Sequence, residues 1–141
     1  MAIKFKDNTP QVKKMLLRNI FNALEAVGFF VSGDAKRRVP VDRGALRESI
    51  SHESNTDEKI VRIGASEKYA VFVEKGTGIY AVDGNGRKTP WLYFYDGYKG
   101  DQGVRLTYGQ KPQPFLTPAG EENISTIVNM VATQLKKGFE K

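Results

Sequence analysis

The residue types that could do chemistry are few, and their spacing does not favour it. The 141 residues contain one histidine, His52, and no cysteine. Without cysteine there is no disulfide scaffold, thiolate zinc site, thiol nucleophile or iron–sulfur cluster. A single histidine excludes a multi-histidine metal site within one chain and leaves a Ser–His–Asp triad without support. His52 falls in a strand-like stretch and reads as a surface or rim residue. Asp42 followed by Asp57-Glu58-Lys59 has the outline of a metal-dependent nuclease. In that chemistry paired carboxylates hold Mg²⁺ and the lysine steadies a charged phosphate. Asp42 is better used as a helix cap, however, and Asp57 and Glu58 lie in a turn. Gly84-Asn85-Gly86-Arg87-Lys88-Thr89 has some features of a phosphate loop. It lacks the glycine directly before the lysine, and Pro90-Trp91 follows where a helix should start. Asp83-x-Asn85-Gly86 lacks the ligand spacing and closing glutamate of a calcium loop. The expectation is a protein that is not an enzyme, with no catalytic residue, no metal and no cofactor.

The formal net charge is +6, with 40% hydrophobic and 27% charged residues, the balance of a globular chain. The positive excess sits in two patches. Residues 36–47 hold Lys36, Arg37, Arg38, Arg43 and Arg47 against Asp42 alone. Residues 87–111 hold Arg87, Lys88, Lys99, Arg105 and Lys111 against Asp96 and Asp101, with Trp91 among them. Such patches can face an acidic partner, nucleic acid or only solvent. They are the candidate partner or DNA contacts. No apolar run approaches the ~18–20 residues of a membrane span, and the N-terminus shows no signal-peptide core. The expectation is an intracellular protein with no membrane partner.

These residues need elements to position them. Asn8-Thr9-Pro10 looks like a helix start, with a side-chain cap and then proline. Val12, Leu16, Ile20, Leu24, Val27, Val31 and Ala35 recur at helical spacing, so one long helix should run from about 10 to 38. Gly28 and Gly33 weaken it, and Val39-Pro40 ends it. Asp42 should cap a second, short helix bearing Leu46 and Ile50. Ser49 to Glu53 and Lys59 to Gly64 read as antiparallel strands. Tyr69 to Glu74 fits helix or strand, and Gly76-Thr77-Gly78 ends it in either case. Residues 79–111 read as an aromatic hairpin or small meander, partly a loop, with Gly78 to Val82 and Trp91 to Tyr95 flanking a turn at Asp83-Gly84-Asn85-Gly86 and a second turn cluster from Asp96 to Gly103 ahead of Val104 to Tyr108. Pro112, Pro114 and Pro118 stiffen a link into one last helix with Ile124, Ile127, Val128, Val131 and Leu135 as its stripe. The fold class is α+β, with the long N-terminal helix and the C-terminal helix on one face of a small antiparallel sheet. Residues 1–141 form a single domain in this reading.

Three strings stand out: Ala35 to Ile50 with Val39-Pro40-Val41-Asp42-Arg43-Gly44 at its centre, then Tyr69 to Gly78, then Pro112-Gln113-Pro114-Phe115-Leu116-Thr117-Pro118-Ala119. In this order they resemble the tail-completion or neck proteins of long-tailed bacteriophages and prophages. Arg43 departs from the usual threonine, and Lys75 from a common aromatic. The resemblance runs from the first helix to the last. It marks Pro40, Asp42, Gly44, Leu46, Ile50, Tyr69, Glu74, Gly76, Thr77, Gly78, Pro112, Pro114, Phe115 and Pro118 as structural motif residues. It implies a structural virion protein at the head–tail junction, assembled in the host cytoplasm as a homo-oligomeric ring with other neck and tail proteins as partners. Positive residues facing such a lumen could touch DNA through its phosphates. The competing reading is a small basic nucleic-acid-binding module whose tyrosines and Trp91 stack bases.

Overall fold

The computed structural model describes residues 2–97 and 100–139. Its spine is α1 (Thr9–Arg38), which runs unbroken through Gly28 and Gly33. Asn8 occupies the cap position but makes no side-chain cap bond. The Asp7 carboxylate takes the Thr9 N–H instead, at 2.9 Å. At the other end Val39 turns to extended backbone, ψ 136°, ahead of Pro40. Lys36, Arg37 and Arg38 fill the last turn, where positive charge suits the helix dipole. By length and composition α1 could cross a membrane, which corrects the view that no run is apolar enough. Ala23, Val27, Val31 and Ala35 are instead the protein's own core, as in any long core helix. The first ten residues of α1 overhang the body, all exposed except half-buried Met15. Val12 and Leu16 continue the core stripe there but stay 49% and 41% exposed.

Helix α2 (Ala45–Ser49) starts at Gly44, not at a cap from Asp42, whose side chain is exposed. The chain must reverse after Pro40, and it does so through Gly44 at φ 87°, a conformation open to glycine. Strands β1 (Ile50–Asn55) and β2 (Ile60–Ala65) follow, antiparallel, with Ile50 opposite Ala65 and Asn55 opposite Ile60. The ambiguous stretch after Ser66 is a helix, α3 (Ala70–Lys75). Gly78–Tyr80 is a single 3₁₀ turn rather than the expected strand. The excursion's hairpin forms across the second turn cluster, between β3 (Trp91–Asp96) and β4 (Gln102–Thr107). The C-terminal helix is split into α4 (Leu116–Glu121) and α5 (Ile124–Lys137). Asn123 makes the joint, its amide donating to Ala119 O at 2.8 Å and to Asp34 Oδ2 at 2.9 Å.

The class is α+β, with a long N-terminal helix, C-terminal helices and two small antiparallel sheets. Helix α1 is the shared layer. The β1–β2 ribbon packs on it, and so do α4 and α5. The approach to β1 is close enough to dictate sequence, since a Cβ at Gly28 would run into the His52 ring. The core joins Val27, Val31, Ala35, Val39, Leu46, Ile50, Ala70, Val73, Phe115 and Ala119. Phe115 and Ile50 are its largest fully enclosed side chains.

Candidate assembly surface

The three sequence strings meet at one node. From the first, Val39, Leu46 and Ile50 enter the core; from the second, Ala70 and Val73; from the third, Phe115 and Ala119. Polar bonds lock the second string to the third. The Glu74 carboxylate accepts the backbone N–H groups of Phe115 (2.8 Å), Leu116 (3.0 Å) and Thr117 (2.9 Å). It therefore caps α4, satisfying donors that the helix itself cannot. Burial pushes the Glu74 carboxyl up, but the three donors outweigh it and hold its pKa below the ordinary range. Val73 O accepts the Gln113 N–H at 2.8 Å, and Gln110 O accepts the Thr77 N–H at 2.9 Å. Thr77 Oγ1 accepts the Gln110 N–H at 2.9 Å.

Beside this node the segment after α3 crosses the segment after β4. Ile79 N–H donates to Tyr108 O at 3.1 Å. Gly78 stands at φ 62°, and a Cβ there would strike the Tyr108 carbonyl. Pro112 packs against Gly76 in the same crossing. Pro114 and Pro118 flank Phe115, and Pro118 lies inside α4. Tyr69 takes the N-cap position of α3 with its side chain exposed. Motif chemistry here is structural: caps, turns and a buried aromatic.

A second polar cluster fastens α1 to the joint between α4 and α5. Asp34 receives Arg38 (2.8 Å), Arg37 (3.0 Å) and the Asn123 amide, and Arg38 also reaches Glu122 at 2.6 Å. Burial raises the Asp34 carboxyl, but the Arg38, Asn123 and Arg37 hydrogen bonds together lower it. The third cluster corrects the reading of His52. Its side chain is 11% exposed, not at the rim, and donates to Glu25 at 3.3 Å. The ring also stands edge-on to Phe29, centroids 4.6 Å apart. Hydrogen bonds from Ser54 (2.7 Å) and His52 lower the Glu25 carboxyl. Nothing in the sequence paired His52 with Glu25, because a lone histidine on a strand carries no partner signal.

The basic candidates are mostly occupied. Arg37 and Arg38 serve Asp34, and Arg43 crosses to the hairpin, donating to Asp96 O at 3.2 Å. Arg105 binds Asp101 at 2.7 Å and stacks over Tyr95, 4.3 Å from its centroid. Arg87 covers Trp91 at 5.5 Å, and Lys111 lies 5.9 Å from the Tyr80 ring. Lys88 donates to Gly84 O at 3.0 Å. Lys36 and Arg47 make no ion pair among the described residues. Lys99 lies outside the described residues. Through Arg43 and Asp96 the first basic segment touches the second.

The carboxylates of the nuclease pattern are equally dispersed in role. Asp57 to Lys59 form the turn between β1 and β2, with Glu58 bound to Arg62 at 3.0 Å, and Asp42 sits in the linker before α2. Among the described residues no group of three His, Asp or Glu could hold a metal. A cleft of about 510 Å³ runs between residues 40–47 and Tyr69, Val73, Gln110 and Gln113. A smaller cup of about 350 Å³ is floored by Val71, Phe72 and Trp91.

One apolar feature left open to solvent is the β3–β4 hairpin. Among the described residues neither strand packs substantially on any other element. Leu92 pairs with Leu106 and Phe94 with Val104, so the four share one face. Each is 59–68% exposed. The opposite face carries Trp91, Tyr93, Tyr95 and Arg105. No candidate residue marked the aliphatic face, although the alternation Leu92-Tyr93-Phe94 against Val104-Arg105-Leu106 carried the signal.

Comparison with known families gives a match to the one described as "Bacteriophage HK97-gp10, putative tail-component", over residues 3–76. That is just over half of the chain, and it contains the first string and nearly all of the second. The third string lies beyond it, so the family match is shorter than the resemblance read from the sequence. No curated protein and no solved structure matches the chain. A match spanning α1, α2, the β1–β2 ribbon and α3, around the node just described, makes the chain a member of the HK97-gp10-like family of bacteriophage tail components.

Proposed function

We propose that this tail component is a structural subunit that forms a ring at the neck of the phage and joins tail to head. The observation that carries the reading is the use made of the motif residues. Glu74, Gly78, Leu46, Ile50 and Phe115 are all spent on one rigid node, and no nucleophile, base or metal set is among them. What the fold then offers to the outside is contact surface: the hairpin and the overhanging start of α1. A ring of identical chains needs two different surfaces that meet head to tail. On this reading the chain acts as one domain, resides in the virion at the head–tail junction and is assembled in the host cytoplasm. Lys36 and Arg47, which make no ion pair among the described residues, are the candidates on this reading for phosphate contacts to DNA.

Electron microscopy of the purified protein should show closed rings. Phage lacking the gene should accumulate filled heads and separate tails. Normal joined virions without the protein would refute the reading. Tight binding of short DNA by the monomer, falling steeply with salt, would favour the nucleic-acid-binding alternative.

A further inference from the structure

We propose that the aliphatic face of the β3–β4 hairpin docks on the lateral face of α5 in an adjacent copy of the same chain. The inference rests on the self-assembling reading above and names the surfaces that would do it. A two-stranded hairpin alone is marginally stable in water and needs a covering layer. Leu92, Phe94, Val104 and Leu106 have no such cover among the described residues. At about two-thirds exposure each, these four side chains offer on the order of 500 Å² of apolar surface. Stable complexes bury roughly 600–1,000 Å² per partner, so the face supplies most of one side of an interface.

Helix α5 supplies a matching face. It has no buried residue, and its apolar stripe is wider than α1 covers. Ile127, Met130 and Val131 lean on the core, while Ile124 and Val128 are each 60% exposed. From Asn123 to Leu135 there is no charged residue, in a chain that is 27% charged. Loss of charge is the compositional mark of an interface centre, not of a solvated helix. The dimensions agree as well. Six-residue strands span about 20 Å and a 14-residue helix about 21 Å. Alternate strand residues repeat at roughly 6.7 Å, and helix residues four apart at about 6 Å, so Leu92/Phe94 and Ile124/Val128 are in step. Because the two faces differ, the contact is heterologous and propagates from copy to copy, as a ring requires. Two hairpins stacked face to face would instead close a dimer and leave α5 bare.

The chain has no cysteine, so cross-linking can address single positions. Phe94→Cys and Val128→Cys proteins, each checked for native circular dichroism, are treated with a short bis-maleimide alone and mixed. The mixture should give a cross-linked pair, and the double variant a ladder of dimer, trimer and higher forms. Phe94→Asp should weaken self-association at least tenfold by sedimentation. Cross-linking of Phe94→Cys with itself as readily as in the mixture would overturn the proposal in favour of stacked hairpins. An oligomer that forms no Phe94–Val128 link would overturn the contact and leave self-assembly standing. A protein that stays monomeric at every concentration would overturn both.

Discussion

Replacing Glu74 by alanine removes the acceptor for three backbone N–H groups at once. They do not count equally. Thr117 is exposed, and water can take its N–H. Phe115 is fully enclosed and Leu116 half-buried, so their donors would be left without partners. Hydrogen bonds to a charged acceptor are each worth roughly 1.5–3 kcal/mol, and an orphaned buried donor costs ~1–3 kcal/mol. Two such groups, discounted for partial solvent access, give a loss of about 2–4 kcal/mol. At about 4 °C per kcal/mol for a chain of this size, Tm should fall by roughly 8–15 °C. Glu74→Gln keeps one oxygen, enough for Phe115 and Leu116, and should lose only about 1 kcal/mol. Urea unfolding followed by circular dichroism, with unchanged m-value, measures both. The reasoning fails if alanine lies within 0.5 kcal/mol of the parent, or if glutamine is as damaging as alanine.

Further predictions follow from the same contacts. Gly28→Ala should destabilise the protein despite a helix-propensity gain of ~1 kcal/mol, because its Cβ meets the His52 ring; in the Gly28→Ala/His52→Ala double variant most of the loss should vanish, as a mutant cycle would show. The Glu74, Asp34 and Glu25 carboxyls all titrate below their ordinary values when folded. Their stabilisation is therefore complete above the unfolded pKa, about 4–4.5, and lost as pH falls through the folded values. Denaturation midpoints should be flat in this respect above pH 5 and drop below it, less steeply in Glu74→Gln and Asp34→Asn. In dilute monomer the β3 and β4 amides should exchange faster than those of β1 and β2, and slow on assembly.

Local rules made much of the frame legible. Proline after a helical stripe ended α1 at Arg38, and Gly76 and Gly78 took the left-handed turns that their neighbours could not. The strands around residues 56–59 and the α+β class followed from alternation and element order. What escaped were choices made by tertiary contact. Asp42 looked like the cap of α2, but the direction of the chain after Pro40 put Gly44 there. Tyr69 to Glu74 was undecided because its helix is held from outside, by Phe115 and by the bonds to residues 113–117. The last helix broke at Asn123 because Asp34, 89 residues away, draws that side chain. The charge count also could not show which acid each arginine takes: Arg37 and Arg38 pair with Asp34, Arg43 with Asp96 and Arg105 with Asp101. Glu74 was singled out by resemblance, and only the structure shows it as a cap.

The bond from Glu74 to Phe115 spans 41 residues, and almost everything between them belongs to the excursion. Closing a flexible loop costs free energy that grows only with the logarithm of its length, about 0.6 kcal/mol per doubling. Shortening the span to a quarter would therefore gain little more than about 1 kcal/mol. The crossing of Gly78 over Tyr108 and Gly109 acts as a clasp at the base of the loop, beyond which Arg43 to Asp96 is a further polar tie between the frame and the loop. Insertions and deletions within it are thus nearly neutral for folding. The hairpin can change in length and sequence at little cost to the clasp and the residues behind it.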